Sequence, residues 1–317
     1  MKTGGRLALY GLGLAVAFGG AFAIAAAAVP ADAVAGWQEE SGMKDHDEDN
    51  ESAAAPAHGE HAMKGLSLSS DGYVLSPIHA PTVVGEPGEL SFQIQDATGA
   101  PVTDYTTSHD RDLHLIIARS DGALFRHVHP ELDEASGTWS IPWEWADAGS
   151  YRAFADFTPA GDEATGLTLT RLVQVAGEFT PVEPQPSRVD DVDGFRVSVE
   201  GDLVAGSAGE LTISVTRDGS PVTELQPYLG AFGHLVALRD GDLAFLHVHA
   251  EGDEPKAGDT AGPDIVFAAT APTAGRYLLY LDFQIDGEVH TASFVLDASH
   301  GDAASGDESE SHSDDGH

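Results

Sequence analysis

From about residue 67 the chain is written in short runs of alternating apolar and polar residues. Leu90-Ser91-Phe92-Gln93-Ile94 and Leu211-Thr212-Ile213-Ser214-Val215 are examples, and Gly, Pro and Asp separate such runs. Alternation with period two is the signature of half-buried strands, and no stretch of this region has a helical period. The pattern also repeats. Gly99-Ala100-Pro101-Val102-Thr103 returns as Gly219-Ser220-Pro221-Val222-Thr223, and the same offset carries His114, His127 and His129 onto His234, His247 and His249. Ala148-Gly149-Ser150-Tyr151 with Asp156-Phe157 answers to Ala274-Gly275-Arg276-Tyr277 with Asp282-Phe283. A duplicated unit of this length with many short strands predicts an all-β fold of two tandem immunoglobulin-like β-sandwiches. An Asp, a Gly and a Tyr entering a strand, as in Asp147 to Tyr151, predict the tyrosine corner of such sandwiches. Tyr151, Ala153 and Phe157 would then point inward, with Phe154 and Asp156 on the outer sheet face. The predicted boundaries are sandwich 67–177, linker 178–192 and sandwich 193–298.

The ends of the chain have a different composition. After Lys2 and Arg6 an uncharged apolar run extends from Leu7 to Val29, predicting a hydrophobic helix over 1–36 that is either a signal anchor or a cleaved signal peptide. Either way the remainder lies outside the cytoplasm, secreted or held at the cell membrane. Residues 37–66 and 299–317 are acidic and rich in His, with few residues to bury, and predict solvated, disordered segments. Their histidines would catch metal weakly. The 317 residues carry 52 Asp and Glu against 15 Lys and Arg, a formal charge of −37, which excludes nucleic acid as a partner. With no Cys there is no disulfide, thiol nucleophile or thiolate site, so any metal is held by His, carboxylate or Met.

The candidate chemistry lies in two hairpins. In the first copy a turn at Asp121-Gly122 places His114 across from His129, with His127 on the same face. In the second a turn at Asp240-Gly241 would pair His234 with His247 and keep His249 on that face. Opposed imidazoles are close enough to share one ion, so His114, His127 and His129, and separately His234, His247 and His249, are candidate ligands of one copper or zinc ion each. Asp156 and Asp282, on the neighbouring outer strand, are candidate fourth ligands. His290 is a weaker one. Lying on open sheet faces, the sites suit binding, buffering or handing on rather than catalysis, and proton competition weakens them as pH falls through about 6.5. Trp139, Trp143 and Trp145 have no clear counterpart in the second copy and read as core or edge packing.

Leu113-His114-Leu115-Ile116-Ile117 with His127-Val128-His129-Pro130 and Phe154-Ala155-Asp156-Phe157, and their partners Phe232-Gly233-His234, Leu246-His247-Val248-His249 and Tyr280-Leu281-Asp282-Phe283, resemble a family of actinobacterial proteins. Its members are exported or membrane-anchored and are often labelled secreted or heavy-metal-associated. The resemblance spans roughly residues 65 to 297. It implies an exterior, metal-related role with an unknown metal-transport partner. Two other classes compete. Gly241, His247, His249 and Glu254 fit much of the first cupin motif, which would make a metalloenzyme, but the His of the second motif is lacking. A cell-surface structural or adhesive sandwich would use the histidines for nothing in particular.

Overall fold

The structure is a computed structural model that describes residues 65–161, 164–246 and 248–301. The N-terminal apolar run, most of the acidic tail and His247 lie outside these residues. Among the described residues no helix is long and apolar enough to cross a membrane.

The first copy is built from β1 (Ser69–Ser70), β2 (Tyr73–Leu75), β3 (Gly88–Gln95), β4 (Leu113–Arg119), β5 (Arg126–Val128), β6 (Glu131–Asp133), β7 (Thr138–Trp143), β8 (Gly149–Phe157) and β9 (Leu167–Val175). The second contains β10 (Val189–Val192), β11 (Phe195–Glu200), β12 (Ala208–Arg217), β13 (Ser220–Pro221), β14 (His234–Arg239), β15 (Phe245–Leu246), β16 (Val248–Ala250), β17 (Asp264–Thr270), β18 (Gly275–Ile285) and β19 (Glu288–Ala298). In each copy two antiparallel sheets face one another. The first has the orders β1-β2-β3-β7-β6 and β5-β4-β8-β9, and the second has β10-β11-β12-β17-β16 and β15-β14-β18-β19, with β13 beside β12. The fold is all-β, two tandem immunoglobulin-like sandwiches. Among the described residues all four sheets are open and end in edge strands.

Both tyrosine corners form. The Tyr151 hydroxyl donates to the Asp147 carbonyl at 2.7 Å, and Tyr277 donates to the Thr273 carbonyl at 2.9 Å. Tyr151, Ala153, Ala155 and Phe157 point into the first core, together with Trp139, Trp143 and Trp145. Val189-Asp190-Asp191-Val192, in the stretch expected to be linker, is instead β10, which pairs with β11 in the second sandwich. The turn between them is Asp193-Gly194 with φ of 50° and 83°, the two left-handed residues that a tight hairpin requires.

The outer faces are not open. Ile116, Ala118 and Phe154 from the first sandwich pack with Val236, Leu238, Leu243, Phe245, Leu278 and Tyr280 from the second, making a third apolar cluster between the two cores. The central strands β4 and β8 of the first sandwich and β14 and β18 of the second are therefore covered on both faces over much of their length, and every residue of β4 is buried. The Phe125 and Tyr280 rings stack across this seam with centroids 4.0 Å apart and planes within 3°. The Tyr280 hydroxyl donates to the Gly122 carbonyl. A Cβ on Gly122 would sit 2.2 Å from Leu278 Cδ1, and its φ is +78°, so this turn needs Gly both for conformation and for close approach.

Candidate metal centre

Alternation along the strands decides what reaches the seam. On β4 the outward residues are His114, Ile116 and Ala118, and on β14 they are His234, Val236 and Leu238. On β8 and β18 they include Phe154 with Asp156, and Leu278, Tyr280 and Asp282. Each sheet thus brings an apolar stretch followed by polar ligand types. The apolar stretches seal the seam, and the polar ends gather beside them.

In the first copy β4 and β5 pair with Leu115 opposite Val128. That register sets His114 across from His129, one residue past the end of β5, and leaves His127 on the same face. His114 Nδ1 lies 3.0 Å from His127 Nε2 and 3.2 Å from His129 Nε2. Four nitrogens around a zinc ion at about 2.05 Å are separated by about 3.3 Å, and neighbouring corners of a square plane by about 2.9 Å. The spacing fits either geometry.

Hydrogen bonds fix which nitrogens can bind. His114 Nε2 is 3.1 Å from the Ser108 carbonyl, which can only accept, so Nε2 carries the proton and Nδ1 the lone pair. His127 Nδ1 is 2.8 Å from Asp282 Oδ2 of the second sandwich, so Nδ1–H donates to the carboxylate and Nε2 turns to the cluster. The His127 and Asp282 side chains are 0% and 4% exposed, so water does not screen this contact. Thr291, directly opposite Asp282 on β19, donates to its other oxygen at 2.6 Å and fixes the carboxylate. Carboxylates and carbonyls that accept from the far ring nitrogen in this way orient metal-binding histidines.

The site also keeps His114, His129 and His234 neutral. Burial, and next electrostatic repulsion between its protonated form and the neighbouring His127, push His114 down to about 3. His129 is held at about 3 by the same two causes, with His114 and Arg111 adding to them. His234 lies well below its ordinary value, mainly through burial. Burial and the neighbouring Asp282 charge raise Tyr228 to about 12. Neutral imidazoles are the ligand form.

Two sets of donor atoms each lie within 4.8 Å of one another: His114, His127 and His129, and His127, His234 and Asp282. Residues expected to serve separate sites on separate open faces thus meet at one buried seam. Asp156, opposite His114 on β8, accepts from Thr168 at 2.6 Å and belongs to neither set. His247 is outside the described residues, and of His249 only the backbone is described. The expected pairing of His234 with His247 is corrected by the register Ala237 opposite Leu246, which matches that of the first copy. Arg239 binds Asp242, and Asp242 Oδ1 accepts from the Ala244 amide at 3.1 Å, moving the tip to Gly241-Asp242. The chain then crosses to the opposite sheet, where His249 pairs with Ala268. In the first copy the crossing comes later, beyond Pro130, which has no N–H for a ladder at the position where Ala250 continues β16. His290 is elsewhere, 2.9 Å from Asp193 Oδ2 and packed on Phe195 and Phe283.

Sequence reasoning missed His109, whose ring centroid lies 6.1 Å from that of His114 and 5.9 Å from that of His234. Its counterpart under the repeat is Leu229, so the duplication gave no signal. The Thr partners of Asp156 and Asp282 were also missed, although Thr168 and Thr291 stand opposite them in the β8–β9 and β18–β19 ladders. A cavity of about 510 Å³ opens beside the cluster, lined by His109, Asp156, His234, Glu251, Asp253 and Glu254 among others.

No curated protein matches the chain. Among solved structures it is similar to the adhesin InvE of Yersinia pseudotuberculosis, with 14% identity over 73% of this chain and 60% of that one and a TM-score of 0.21. It is also similar to invasin, a bacterial integrin-binding protein (13% identity, 72% and 39% covered, TM-score 0.23). A third is the surface-layer protein SbsC, domains 4–9 (13% identity, 74% and 32% covered, TM-score 0.22). The chain spans less than two thirds of the length of each. The model of a domain family described as Domain of unknown function (DUF8832) matches residues 68–173 and again 190–300, one match for each sandwich. The chain belongs to that family and carries its domain twice.

Proposed function

We propose that this is an extracytoplasmic metal-binding protein that takes up a copper or zinc ion at the seam between its sandwiches and buffers it or hands it on. One observation carries the reading: the lone pairs of His114 Nδ1 and His127 Nε2 converge with His129 Nε2, at 3.0 and 3.2 Å, and each of the first two tautomers is set by an acceptor behind it. The exterior location follows from the apolar run Leu7 to Val29, read as an anchor or a signal peptide, with the strongly acidic, Cys-free remainder outside. The bound ion is held by the first sandwich and steadied by Asp282 of the second, so the ligand set works only in the folded tandem. The test loads the full chain in detergent with Cu(II) or Zn(II), dialyses it and counts retained ions by elemental analysis. Replacing His114 and His129 by Ala should remove one ion per chain relative to the unaltered protein. Equal retention in both would sink the reading.

The second reading is a structural or adhesive module of the cell surface. The apolar seam favours it, because Phe154, Phe245, Leu278 and Tyr280 fuse two sandwiches into a stiff unit without help from any ion. The adhesin and surface-layer proteins named above have that kind of role by their descriptions. On this reading the double His variant keeps the same metal count and the same surface behaviour as the unaltered chain.

A further inference from the structure

The three-imidazole site leaves His234 without a task. Its Nδ1 is buried with no hydrogen-bond partner among the described residues, an unfavourable state unless something satisfies it. His234 stands directly opposite Asp282 in the β14–β18 ladder, and its ring centroid is 4.8 Å from that of His127. His127, His234 and Asp282 offer donor atoms within 4.8 Å of one another. His127 is common to both donor sets, yet it uses opposite edges of its ring: Nε2 faces His114, and Nδ1 faces Asp282 Oδ2 at 2.8 Å. The cavity of about 510 Å³ reaches His234, and its acidic lining, including Glu251, Asp253 and Glu254, draws divalent cations toward it.

We infer that the seam holds a second divalent transition-metal ion, bound by His127 Nδ1, His234 and Asp282, so that the His127 ring bridges two ions. This rests on the metal-binding reading above and adds to it. The first ion takes the Nε2 lone pair while Nδ1–H still donates to Asp282. The second ion displaces that proton, which leaves to solvent, and the ring becomes an imidazolate with one metal–nitrogen bond at each edge. Asp282 Oδ2 passes from hydrogen-bond acceptor to ligand, while Thr291 continues to hold Oδ1. No electron moves. The buried Nδ1 of His234 gains the partner it lacks.

The experiment titrates the full chain in detergent with Cu(II), dialyses it, and compares it with His234→Ala and with His234→Gln, which retains more of the side-chain volume. The His-rich ends are the same in all three proteins, so they cancel in the comparison. The expected result is one copper fewer per chain in both variants, and loss of paramagnetic resonance intensity in the fully loaded unaltered protein through exchange across His127. In the variants the trio copper keeps its full signal. Equal copper counts in the unaltered protein and His234→Gln, or full intensity in the unaltered protein at full loading, would overturn the bridge and leave the three-imidazole site standing. Failure of that first site shows up separately, as no ion lost on replacing His114 and His129.

Discussion

Replacing Phe154 by Ala tests whether the two sandwiches are one folded body. By strand alternation Phe154 faces away from the core of its own sandwich, where Tyr151, Ala153 and Phe157 point. If the sandwiches were separate beads its ring would be wet, and truncation would change stability by no more than about 0.5 kcal/mol. In the structure it is 0% exposed, surrounded by seam residues and 5.9 Å from the Phe245 ring. Truncating a buried Phe costs about 3–5 kcal/mol through lost transfer energy and the cavity left behind. For a folded body of this size each kcal/mol lowers Tm by roughly 2–4 °C, so the expected fall is on the order of 10 °C. The assay is calorimetry in the presence of a chelator, which keeps metal out of the comparison. A double-mutant cycle with Phe245→Ala should show coupling of about 0.5–1.5 kcal/mol between the two rings. A fall below about 2 °C with no coupling would refute the seam, and with it the contact between His127 and Asp282.

Other outcomes follow from the same contacts. Asp282→Asn removes the charge that orients His127 and should weaken Zn(II) affinity about 10- to 100-fold, read by competition with a chromophoric chelator. Gly122→Ala should destabilise the chain through both its positive φ and the overlap with Leu278, and urea unfolding should show a lower midpoint with an unchanged slope. The metal-free protein should lose stability as pH falls below about 6.5. His114 resists protonation in the fold down to about 3, whereas the unfolded chain takes up that proton near 6.5. The stability it contributes is therefore present above 6.5 and declines toward 3, by at most about 1.4 kcal/mol per pH unit. Urea midpoints at pH 7.5 and 5.5, compared with those of His114→Gln, measure this, and an equal drop in both proteins would contradict it.

The sandwich fold was legible because alternation, duplication and the Asp147-to-Tyr151 corner all point to it. The shared face of His114, His127 and His129 was legible for the same reason, since one turn position sets the whole register. What local pattern could not show is the partner surface. Leu115-Ile116-Ile117-Ala118 and Leu278-Leu279-Tyr280-Leu281 are apolar at every position, a sign that both faces are covered, but such a run does not say what covers them. The contact between His127 and Asp282 joins positions far apart in the chain and depends on how two finished sandwiches dock. The second hairpin was misread because two adjacent candidates, Asp240-Gly241 and Gly241-Asp242, differ only in which Asp the Arg239 side chain captures.

Because His127 of one half leans on Asp282 of the other, the doubling of this domain is not redundancy. The second half supplies the carboxylate that holds a histidine of the first, a contact that neither half contains alone. A single-copy relative would recover the arrangement only by meeting a second molecule face to face, with the same broad flanks pressed together that a single chain here joins within itself.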